Sequence, residues 1–315
     1  MESKFTWMDG RLVPTAEANV PFLTNALHYG TAVFEGIRCY NTERGPAIFR
    51  HREHMERLVN SIQVLGVREL TYSVDELMQA ARETVRANNF TECYIRPLIY
   101  AAQGGFNLVI DNATIGVGIA AWFWKDYYGP EALAKGVRVN VSSFTRHHPN
   151  VMMTKAKISG NYANSFLART ESMRLGFDEA IMLDPTGYVA ECSGDNLFMI
   201  RGGKIYTPTR MTVLEGITRD SLITIATDLG YDVIEQPLSR DQLYIADEVF
   251  MTGTAAEVVG VREIDFRTIG EGKTGPITTI LQRVFHAAVR GQEPRYAEWL
   301  DPVNLPVTTI AAPAE

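Results

Sequence analysis

Two lysines, Lys155 and Lys157, stand in a run of apolar and small residues that precedes a predicted helix. If residues 151–158 form a strand, period-two alternation places both lysines on one face of it. A lysine amine that is shielded from water among apolar side chains is a nucleophile toward carbonyl groups. The alternative is a pair of surface lysines, whose stems lie along the protein while their ammonium groups stay in water. Other parts of the chain have to decide between these two interpretations.

Three further features would bind an anion such as a phosphate group. Gly216-Ile217-Thr218 opens a predicted helix, whose free backbone N–H groups and dipole attract negative charge. Gly253-Thr254-Ala255 ends a predicted strand with small residues, so a ligand can approach the backbone closely. Arg57, beside the apolar stripe of a helix, could bind a phosphate through two N–H groups. Each feature alone is ordinary, but with a shielded lysine they indicate a phosphorylated carbonyl cofactor, which is pyridoxal phosphate.

Composition excludes several other classes of protein. The chain is 46% hydrophobic and 21% charged, as is typical of soluble globular proteins. No apolar run approaches the ~20 residues of a membrane helix, and a net charge of −7 without a basic run argues against a nucleic-acid partner. Cys39, Cys93 and Cys192 are odd in number and far apart, which predicts no disulfide framework. Without a signal-peptide pattern, we expect a cytoplasmic protein that has no membrane partner.

Local signatures of other enzyme classes are missing from the sequence. It contains no G-x-G-x-x-G after a strand, no P-loop, no H-E-x-x-H and no G-x-S-x-G. His51 and His54 are three residues apart on a predicted helix, but no third metal ligand is evident. We therefore expect these two histidines to face solvent, and we expect no metal site.

The elements that must position these residues are strand hairpins with helices between them. Asp9-Gly10, residues 184–187 and Gly202-Gly203 each separate two predicted strands. Ser73 and Ser239 begin helices with capping boxes. Because no regular βαβ rhythm appears, the chain is predicted to be α+β with two domains. The predicted divisions are residues 1–123 for a small N-terminal domain, 124–133 for a connecting loop and 134–315 for a larger C-terminal domain.

Apolar spacing predicts three longer helices and one strand that faces a ligand. The helices cover residues 51–65, residues 162–175 and a segment that begins at Pro276. The strand, over residues 92–100, has tyrosines and an arginine on one face, which indicates a lined pocket or, alternatively, an arginine in an ion pair at a sheet edge. The inward residues of the three helices are predicted to be Met55, Leu58, Ile62 and Leu65, then Tyr162, Phe166 and Leu167, and finally Ile277, Ile280, Val284 and Ala288.

Four segments, at residues 28–40, 49–58, 94–97 and 246–257, closely resemble bacterial branched-chain-amino-acid aminotransferases, which are class IV (fold-type IV) pyridoxal-phosphate enzymes. The resemblance extends over about residues 7–300. It implies transfer of the amino group of Leu, Ile or Val to 2-oxoglutarate, at a site between a small α/β domain and a larger domain. It also implies a homodimer or a higher homo-oligomer such as a hexamer. The alternatives are other fold-type IV activities: a D-amino-acid or (R)-amine transaminase, or an aminodeoxychorismate lyase.

The resemblance also implies roles for individual residues. Lys157 matches the Schiff-base lysine, which moves a proton between the substrate α-carbon and the cofactor, and Lys155 is the less favoured neighbour. Glu191 matches the carboxylate that pairs with the pyridine nitrogen, although a strand-end carboxylate could also be exposed. Tyr162 matches the partner of the ring hydroxyl. The phosphate site is matched by Arg57, Ile217, Thr218 and Thr254. The substrate pocket is matched by Phe34, Gly36, Arg38, Tyr94, Arg96, Tyr127, Thr254 and Ala255, with Tyr29 expected from the partner subunit.

One segment departs from the family pattern. The family has a glycine-rich loop with Met or Leu followed by Asn-Pro, whereas residues 104–111 here read Gly-Gly-Phe-Asn-Leu-Val-Ile-Asp without a proline. This loop would shape the substrate entrance, so the departure is expected to change side-chain preference and leave the chemistry intact.

Overall fold

The computed structural model describes residues 2–103, 108–111, 113–124 and 127–304, and in this part of the chain the strands form an eight-stranded and a nine-stranded sheet. The strands are β1 (Phe5–Met8), β2 (Arg11–Pro14), β3 (Ala32–Phe34), β4 (Ile37–Thr42), β5 (Gly45–Phe49), β6 (Cys93–Gln103), β7 (Thr114–Trp122), β8 (Val137–Val141), β9 (Glu179–Leu183), β10 (Val189–Cys192), β11 (Asn196–Arg201), β12 (Lys204–Thr207), β13 (Val233–Glu235), β14 (Glu248–Gly253), β15 (Glu257–Ile264), β16 (Arg267–Thr268) and β17 (Leu300–Pro302). The helices are α1 (Asn25–Tyr29), α2 (His51–Val64), α3 (Val74–Ala87), α4 (Gly129–Lys135), α5 (Tyr162–Arg174), α6 (Ile217–Asp228), α7 (Arg240–Tyr244) and α8 (Pro276–Val289), with 3₁₀ turns at Thr15–Glu17, Ser159–Asn161 and Pro294–Trp299. Helices and mixed sheets together confirm the α+β prediction.

The first sheet is antiparallel and follows the hairpins that its turns predict. Its order is β17-β5-β4-β6-β7-β1-β2, with β3 paired to β6. Asp9 and Gly10 have φ angles of 44° and 98°, as a two-residue turn between β1 and β2 requires. The Asp9 carboxylate also accepts a hydrogen bond of 2.7 Å from the Val117 N–H, which ties this turn to β7.

The second sheet contains both predicted hairpins and several strands that the sequence did not reveal. Its order is β10-β9-β8-β15-β14-β11-β12-β13, with β16 paired to β15. The hairpins β9–β10 and β11–β12 are confirmed. By contrast, β8 runs parallel to both β9 and β15, and β13 runs parallel to β12. Parallel pairs need long connections, so no local turn marks them in the sequence.

Helix α2 confirms its predicted inward face, because Met55, Leu58 and Ile62 are fully buried against the first sheet. Burying a side chain of this size contributes about 1.5–3 kcal/mol. The capping boxes are also confirmed, with Ser73 at the start of α3 and Ser239 at the start of α7.

The predicted faces of two other helices need correction. Phe166 and Leu167 of α5 are 73% and 52% exposed, and the buried face consists of small residues. These small side chains let α5 lie close to β9, whereas larger ones would hold the helix away. The small residues of this α5 face are Ser165, Ala168 and Ser172. In α8 Ala288 is buried as predicted, but the large buried side chains are Leu281 and Phe285, and the predicted Ile277 and Val284 are only partly buried.

The C-terminal part of the described chain returns to the first sheet. Strand β17 pairs with β5, and the Arg50 N–H donates to the Trp299 carbonyl at 2.7 Å. Phe49 of the first sheet shares a hydrophobic cluster with Phe198 and Phe250 of the second. The domain divisions at residues 123 and 134 stay a prediction. In the described ranges, the structure contains no helix that is long and apolar enough to cross a membrane.

The two histidines of α2 are buried, which overturns the expectation that they face solvent. His51 Nδ1 lies 2.6 Å from a carboxylate oxygen of Asp301 on β17, and His54 Nδ1 lies 2.8 Å from a Glu35 oxygen. The helical pattern missed this because the partner carboxylates come from other segments: Asp301 lies on β17, and Glu35 lies in the connection between β3 and β4. Within the described residues no group of three His, Cys, Asp or Glu side chains could hold a metal ion.

Candidate active site

A cavity of about 610 Å³ is lined by residues of the first sheet, of α5 and of two turns between strands of the second sheet. Lys157 lines it too, and aromatic residues surround Arg96 on one side. The other lining residues are Phe34, Gly36, Tyr94, Leu98, Trp122, Trp124, Tyr127, Ser159, Tyr162, Phe166, Arg169, Gly194, Asp195, Thr254 and Ala255.

Lys157 projects its amine into this cavity. Its Nζ lies 2.6 Å from the Tyr162 hydroxyl and 5.2 Å from the ring centre of Phe34. The backbone that carries it is held on both sides, because the Lys157 N–H donates to Ser61 Oγ at 3.0 Å and its carbonyl accepts from the Phe34 N–H at 3.1 Å. The backbone therefore fixes where the side chain begins, and among the described residues the amine has one hydrogen-bond partner, Tyr162.

The segment around Lys157 is not the strand that residues 151–158 were predicted to form. It consists of turns, with one isolated antiparallel bridge between Ile158 and Val33. Lys155 does not share a face with Lys157: its Nζ lies 3.2 Å from a carboxylate oxygen of Glu215, and the side chain is 44% exposed. The strand failed to form because the segment bonds to a helix side chain and to a strand edge, and has no continuous ladder to join.

Glu191 on β10 is a buried carboxylate, which excludes the alternative of an exposed strand end. One oxygen, Oε2, accepts from the Asn196 amide at 3.2 Å and from the Leu214 N–H at 3.1 Å. The other, Oε1, is 2.8 Å from Arg146 Nε as an ion pair, but it has no well-aligned hydrogen bond among the described residues. Burial raises the pKa of Glu191, while Arg146 opposes that rise. A second positively charged group placed beside Oε1 would attract the carboxylate and favour its ionised form.

Arg57 is held by a carboxylate that the sequence interpretation missed. Glu35 is fully buried and accepts two hydrogen bonds from Arg57, at 2.6 and 2.8 Å, and one from His54 at 2.8 Å. Burial opposes the negative charge of Glu35, but Arg57 and His54 outweigh it and hold its pKa well below the usual range. The available signal was an acidic residue inside an apolar strand pattern, because such a residue needs a buried partner.

The N-terminus of α6 lies beside Arg57. The remaining guanidinium nitrogen of Arg57 donates to the Glu215 carbonyl at 2.7 Å, one residue before the helix cap at Gly216. A Cβ at Gly216 would fall 2.0 Å from Asn196 Oδ1, so only glycine fits there. Ile217 and Thr218, in the first turn, have N–H groups that the helix itself does not use. This arrangement can bind an anion.

Asn196 links the two parts of the site that sequence reasoning treated separately. Its amide donates to Glu191 at 3.2 Å and to the Leu214 carbonyl at 3.1 Å, while its oxygen lies against Gly216. The buried carboxylate and the anion-binding turn are therefore held in one rigid unit. Neither Asn196 nor Arg146 carries a local sequence pattern that would have revealed its part.

The aromatic wall holds Arg96 by stacking. Its guanidinium lies 4.6 Å from the ring centre of Phe34, 5.4 Å from that of Tyr94 and 5.9 Å from that of Trp122. A Cβ at Gly36 would collide with the Tyr94 hydroxyl, so the small residue there makes room for the wall. The wall thus offers apolar surface and one positive charge together.

Two predicted substrate residues lie away from this wall. Arg38 is buried elsewhere, in ion pairs with Glu92 at 3.1 Å and Glu257 at 3.8 Å, because its strand position faces those carboxylates. Tyr29, on α1, lies on the surface next to a different cavity that Leu108 also lines. Residues 104–107 of the departing loop lie outside the described residues.

Comparison with known proteins places this geometry in a family. The model of amino-transferase class IV matches residues 32–264. The branched-chain-amino-acid aminotransferase of Pseudomonas aeruginosa is 48% identical over 93% of this chain and 95% of its own length. The Escherichia coli K12 protein of the same name is 45% identical over 96% and 98%. The chain therefore belongs to the class IV aminotransferases and, within that class, to the branched-chain-amino-acid aminotransferase family.

Solved structures agree with this placement. The T.th. branched-chain amino acid aminotransferase with pyridoxamine 5'-phosphate superposes with a TM-score of 0.94 at 50% identity, covering 96% of this chain and all of that one. The Escherichia coli enzyme structure gives a TM-score of 0.94 at 45% identity with the same coverage. The fold-type IV architecture predicted from the resemblance is confirmed.

Proposed function

We propose that this protein is a pyridoxal-phosphate-dependent transaminase that moves the amino group of Leu, Ile or Val to 2-oxoglutarate, giving branched-chain 2-oxo acids and L-glutamate. The observation that carries the proposal is the position of Lys157. Its amine enters a cavity that also holds an aromatic wall with Arg96. The relatives named above carry branched-chain transamination in their names.

The residues of this chain fit pyridoxal 5'-phosphate. When bound, this cofactor supplies a carbonyl group that accepts the substrate's amino group and a ring that withdraws electrons from the α-carbon. Lys157 would hold the carbonyl end, and the α6 N-terminus with Arg57 would hold the phosphate. Glu191 would bind the ring nitrogen through Oε1, which lacks a well-aligned hydrogen bond among the described groups. Tyr162 would bind the ring hydroxyl.

Proton movement is assigned to Lys157 and is supported by its neighbour. The amine donates a 2.6 Å hydrogen bond to the Tyr162 hydroxyl, which orients its lone pair when it is neutral. A neutral amine at this position would take the proton from the substrate α-carbon and deliver it to the cofactor carbon that carried the carbonyl group, acting as base and then as acid. Glu191 would keep the ring nitrogen protonated during this transfer, since a buried carboxylate with a raised pKa favours an added positive charge.

The cavity suits two different side chains. A branched aliphatic group would lie on the rings of Phe34, Tyr94 and Trp122, while the γ-carboxylate of glutamate would meet Arg96. Because stacking already holds the guanidinium, no large rearrangement is needed between the two half-reactions. Thr254 and Ala255 close the opposite side with small groups.

Assembly into a homodimer or a higher oligomer such as a hexamer is part of the proposal. Three large apolar side chains on and before α1, Phe22, Leu23 and Leu27, are exposed within six residues of the chain, and exposed apolar side chains so close together favour burial by a second copy. Tyr29 follows them and would reach the partner subunit's cavity. We also propose a cytoplasmic location, which the free cysteines Cys39, Cys93 and Cys192 support.

The test is an absorbance spectrum of the purified protein before and after addition of L-leucine and, separately, D-alanine. A visible band of bound cofactor that shifts with L-leucine alone is the expected result. A shift with D-alanine alone would instead indicate a D-amino-acid transaminase. Absence of any band after addition of pyridoxal phosphate would overturn the proposal.

Substituting the lysine itself tests its role. Lys157→Ala should abolish turnover, lowering kcat by several orders of magnitude, because both the bond to the cofactor and the proton carrier are lost. Lys155→Ala is the matched control: it removes an amine two residues away that contacts Glu215 and the carbonyls of Arg210 and Val213, and it should keep kcat near wild type. Normal turnover in the Lys157 variant would remove that residue from the mechanism.

A further inference from the structure

Arg169 is a charged residue of the cavity that the proposed chemistry does not use. It lies on α5 seven residues after Tyr162, about two helical turns, and therefore on the same face. Its Nη1 donates to Glu179 Oε2 at 2.7 Å and also to the Tyr127 hydroxyl. The guanidinium carbon lies 4.9 Å from the ring centre of Tyr127 and 5.9 Å from that of Tyr128.

Glu179 fixes the position of this guanidinium. It is fully buried on β9, and its second oxygen accepts from the Ala180 N–H at 2.8 Å and from the Ser193 N–H at 3.3 Å. The Tyr128 hydroxyl adds a bond of 3.2 Å to Oε2. A buried carboxylate with this many donors cannot follow a moving arginine, so Arg169 has one stable placement.

Arg169 also contacts Tyr127, whose side chain lines the cavity. Its ring stacks on Trp124 at 6.0 Å with an interplanar angle of 17°, and Trp124 lies 5.3 Å from Tyr94. Burial raises the pKa of Tyr127 to about 12, so the hydroxyl stays neutral and accepts from Arg169. Tyr127 is thereby held at one end by stacking and at the other by a charged hydrogen bond.

A second cavity of about 570 Å³ is also lined by Arg169 and Tyr127. It follows the outer face of α5, where Thr170, Met173 and Arg174 line it. The two cavities share the wall residues Tyr127, Tyr162, Phe166, Arg169 and Gly194.

We propose that Arg169 is a positioning residue that holds Tyr127 as a partition between the substrate cavity and the second cavity, and so limits the length of the substrate side chain. The inference rests on the proposed function, because it assigns the first cavity to the substrate. Releasing Tyr127 joins the two spaces. An amino acid whose aromatic ring lies farther from the α-carbon, such as L-homophenylalanine, then gains room.

The experiment compares kcat/KM for L-homophenylalanine with that for L-leucine in the holoenzyme. Arg169→Met removes the donors and keeps the length of the side chain, and the ratio should rise about tenfold or more, as expected for a changed pocket wall. Tyr127→Phe deletes only the accepting hydroxyl and leaves the pair of Arg169 with Glu179 intact, so it should raise the ratio in the same direction. Arg169→Lys, which keeps a donor, should restore most of the wild-type ratio.

Two controls separate positioning from other effects. Arg174→Met makes the same chemical change on the same helix, at a residue that lines only the second cavity, and should leave the ratio unchanged. Tryptophan fluorescence should shift in the Arg169 and Tyr127 variants but not in the Arg174 variant, because Trp124 stacks on Tyr127. The double variant Arg169→Met/Tyr127→Phe should raise the ratio of kcat/KM values only slightly more than Arg169→Met does. Both single changes break the same hydrogen bond, so their effects should not add.

The outcomes distinguish this inference from the proposed function. An unchanged ratio in Tyr127→Phe and in a folded Arg169→Met would overturn it, even with normal turnover of L-leucine. If Arg169→Met does not fold because Glu179 loses its cation, the Tyr127→Phe ratio decides alone. Failure of the wild type to convert L-leucine would refute the proposed function instead, and fluorescence would still report whether Arg169 positions Tyr127.

Discussion

Two clusters of buried charge flank the cavity, and they differ in the number of carboxylates that share one arginine. The first, the phosphate-side cluster, consists of Glu35, His54 and Arg57. Its single carboxylate receives hydrogen bonds from both other members, and its pKa lies well below the usual range, although burial alone would raise it. The charge of this cluster is fully matched.

The second, the wall-side cluster, consists of Arg169, Glu179 and Asp195. Arg169 bonds directly to Glu179, and no hydrogen bond to the Asp195 carboxylate is present among the described residues. Burial, and after it the negative charge of Glu179, raises the pKa of Asp195 to about 7, while Arg169 and Lys157 oppose the rise. Two carboxylates thus depend on one arginine, and one of them retains a proton near neutral pH.

The number of carboxylates in each cluster affects how the cluster supports the cavity. A matched cluster holds its arginine in one state, as a phosphate site requires, and losing its only carboxylate leaves a buried positive charge alone. A cluster with a surplus carboxylate can replace a lost partner and can respond to pH. Substitutions in the two clusters should therefore lower the free energy of unfolding by unequal amounts.

The largest effect is expected at Glu35. Glu35→Gln leaves Arg57 without its counter-charge, so the free energy of unfolding should fall by about 3–5 kcal/mol. Affinity for pyridoxal phosphate should fall at least tenfold, because the guanidinium is no longer held beside α6. Denaturant unfolding and titration of the apoprotein measure the two effects. Glu56→Gln, the same change at an exposed site on α2, is the control, and equal values for both variants would contradict the matched-cluster interpretation.

A smaller loss is expected at Glu179, although it is equally buried. Glu179→Gln removes one carboxylate, but Asp195 remains beside Arg169 and should ionise more readily once its negative neighbour is gone. We expect the free energy of unfolding to fall by about 1–3 kcal/mol, as for a broken buried hydrogen-bond partner. The double variant Glu179→Gln/Asp195→Asn should lose more free energy of unfolding than the sum of the two single losses. Strict additivity would show that Asp195 does not replace Glu179.

The smallest effect is expected for Asp195→Asn, and its sign depends on pH. The usual pKa of 3.8 is raised to about 7 in the folded protein, so the folded state binds more protons than the unfolded chain between these values. Wild-type stability should therefore decrease as pH rises from about 4 to 7 through this group, and the Asn variant lacks that decrease. The Tm of the variant minus that of the wild type should increase over this range and level off above it.

A control for this pH dependence is available at the surface. Asp232, 68% exposed beside Lys204, forms an ion pair of the kind that contributes little to stability. Asp232→Asn should change the Tm little at any pH tested, because an exposed ion pair contributes only about 0–1 kcal/mol. A flat Tm difference for Asp195→Asn as well would mean that Asp195 is ionised throughout this range in the folded protein.

Local patterns predicted those elements that depend on near neighbours. The Asp9-Gly10 turn, the Ser73 capping box and the buried stripe of α2 were all predicted, since each is determined by residues within a few positions. The inward face of α5 was not, because small residues that allow close packing carry no strong apolar signal. The parallel strand β8 was missed for a related reason: its partners come from other parts of the chain.

The candidate site likewise contains residues that the sequence predicted and residues that it did not. Sequence motifs identified the family, and with it Lys157, Glu191 and the anion-binding turn before α6. They did not reveal Glu35, which the resemblance did not single out, or the placement of Arg38 away from the cavity. Residue type and spacing predict which chemistry is available, whereas burial decides which charges must be paired.

By itself, the sequence determined the α+β class, most helices and hairpins, and the family to which the chain belongs, because these follow from short-range patterns and recognisable motifs. The packed structure was needed to show which carboxylate holds each arginine and that Arg38 lies away from the cavity. The contacts responsible join residues far apart in the chain, as when Arg57 bonds to the carbonyl of Glu215. Such contacts exist only after the sheets pack, when each buried charge must find a partner or change its protonation.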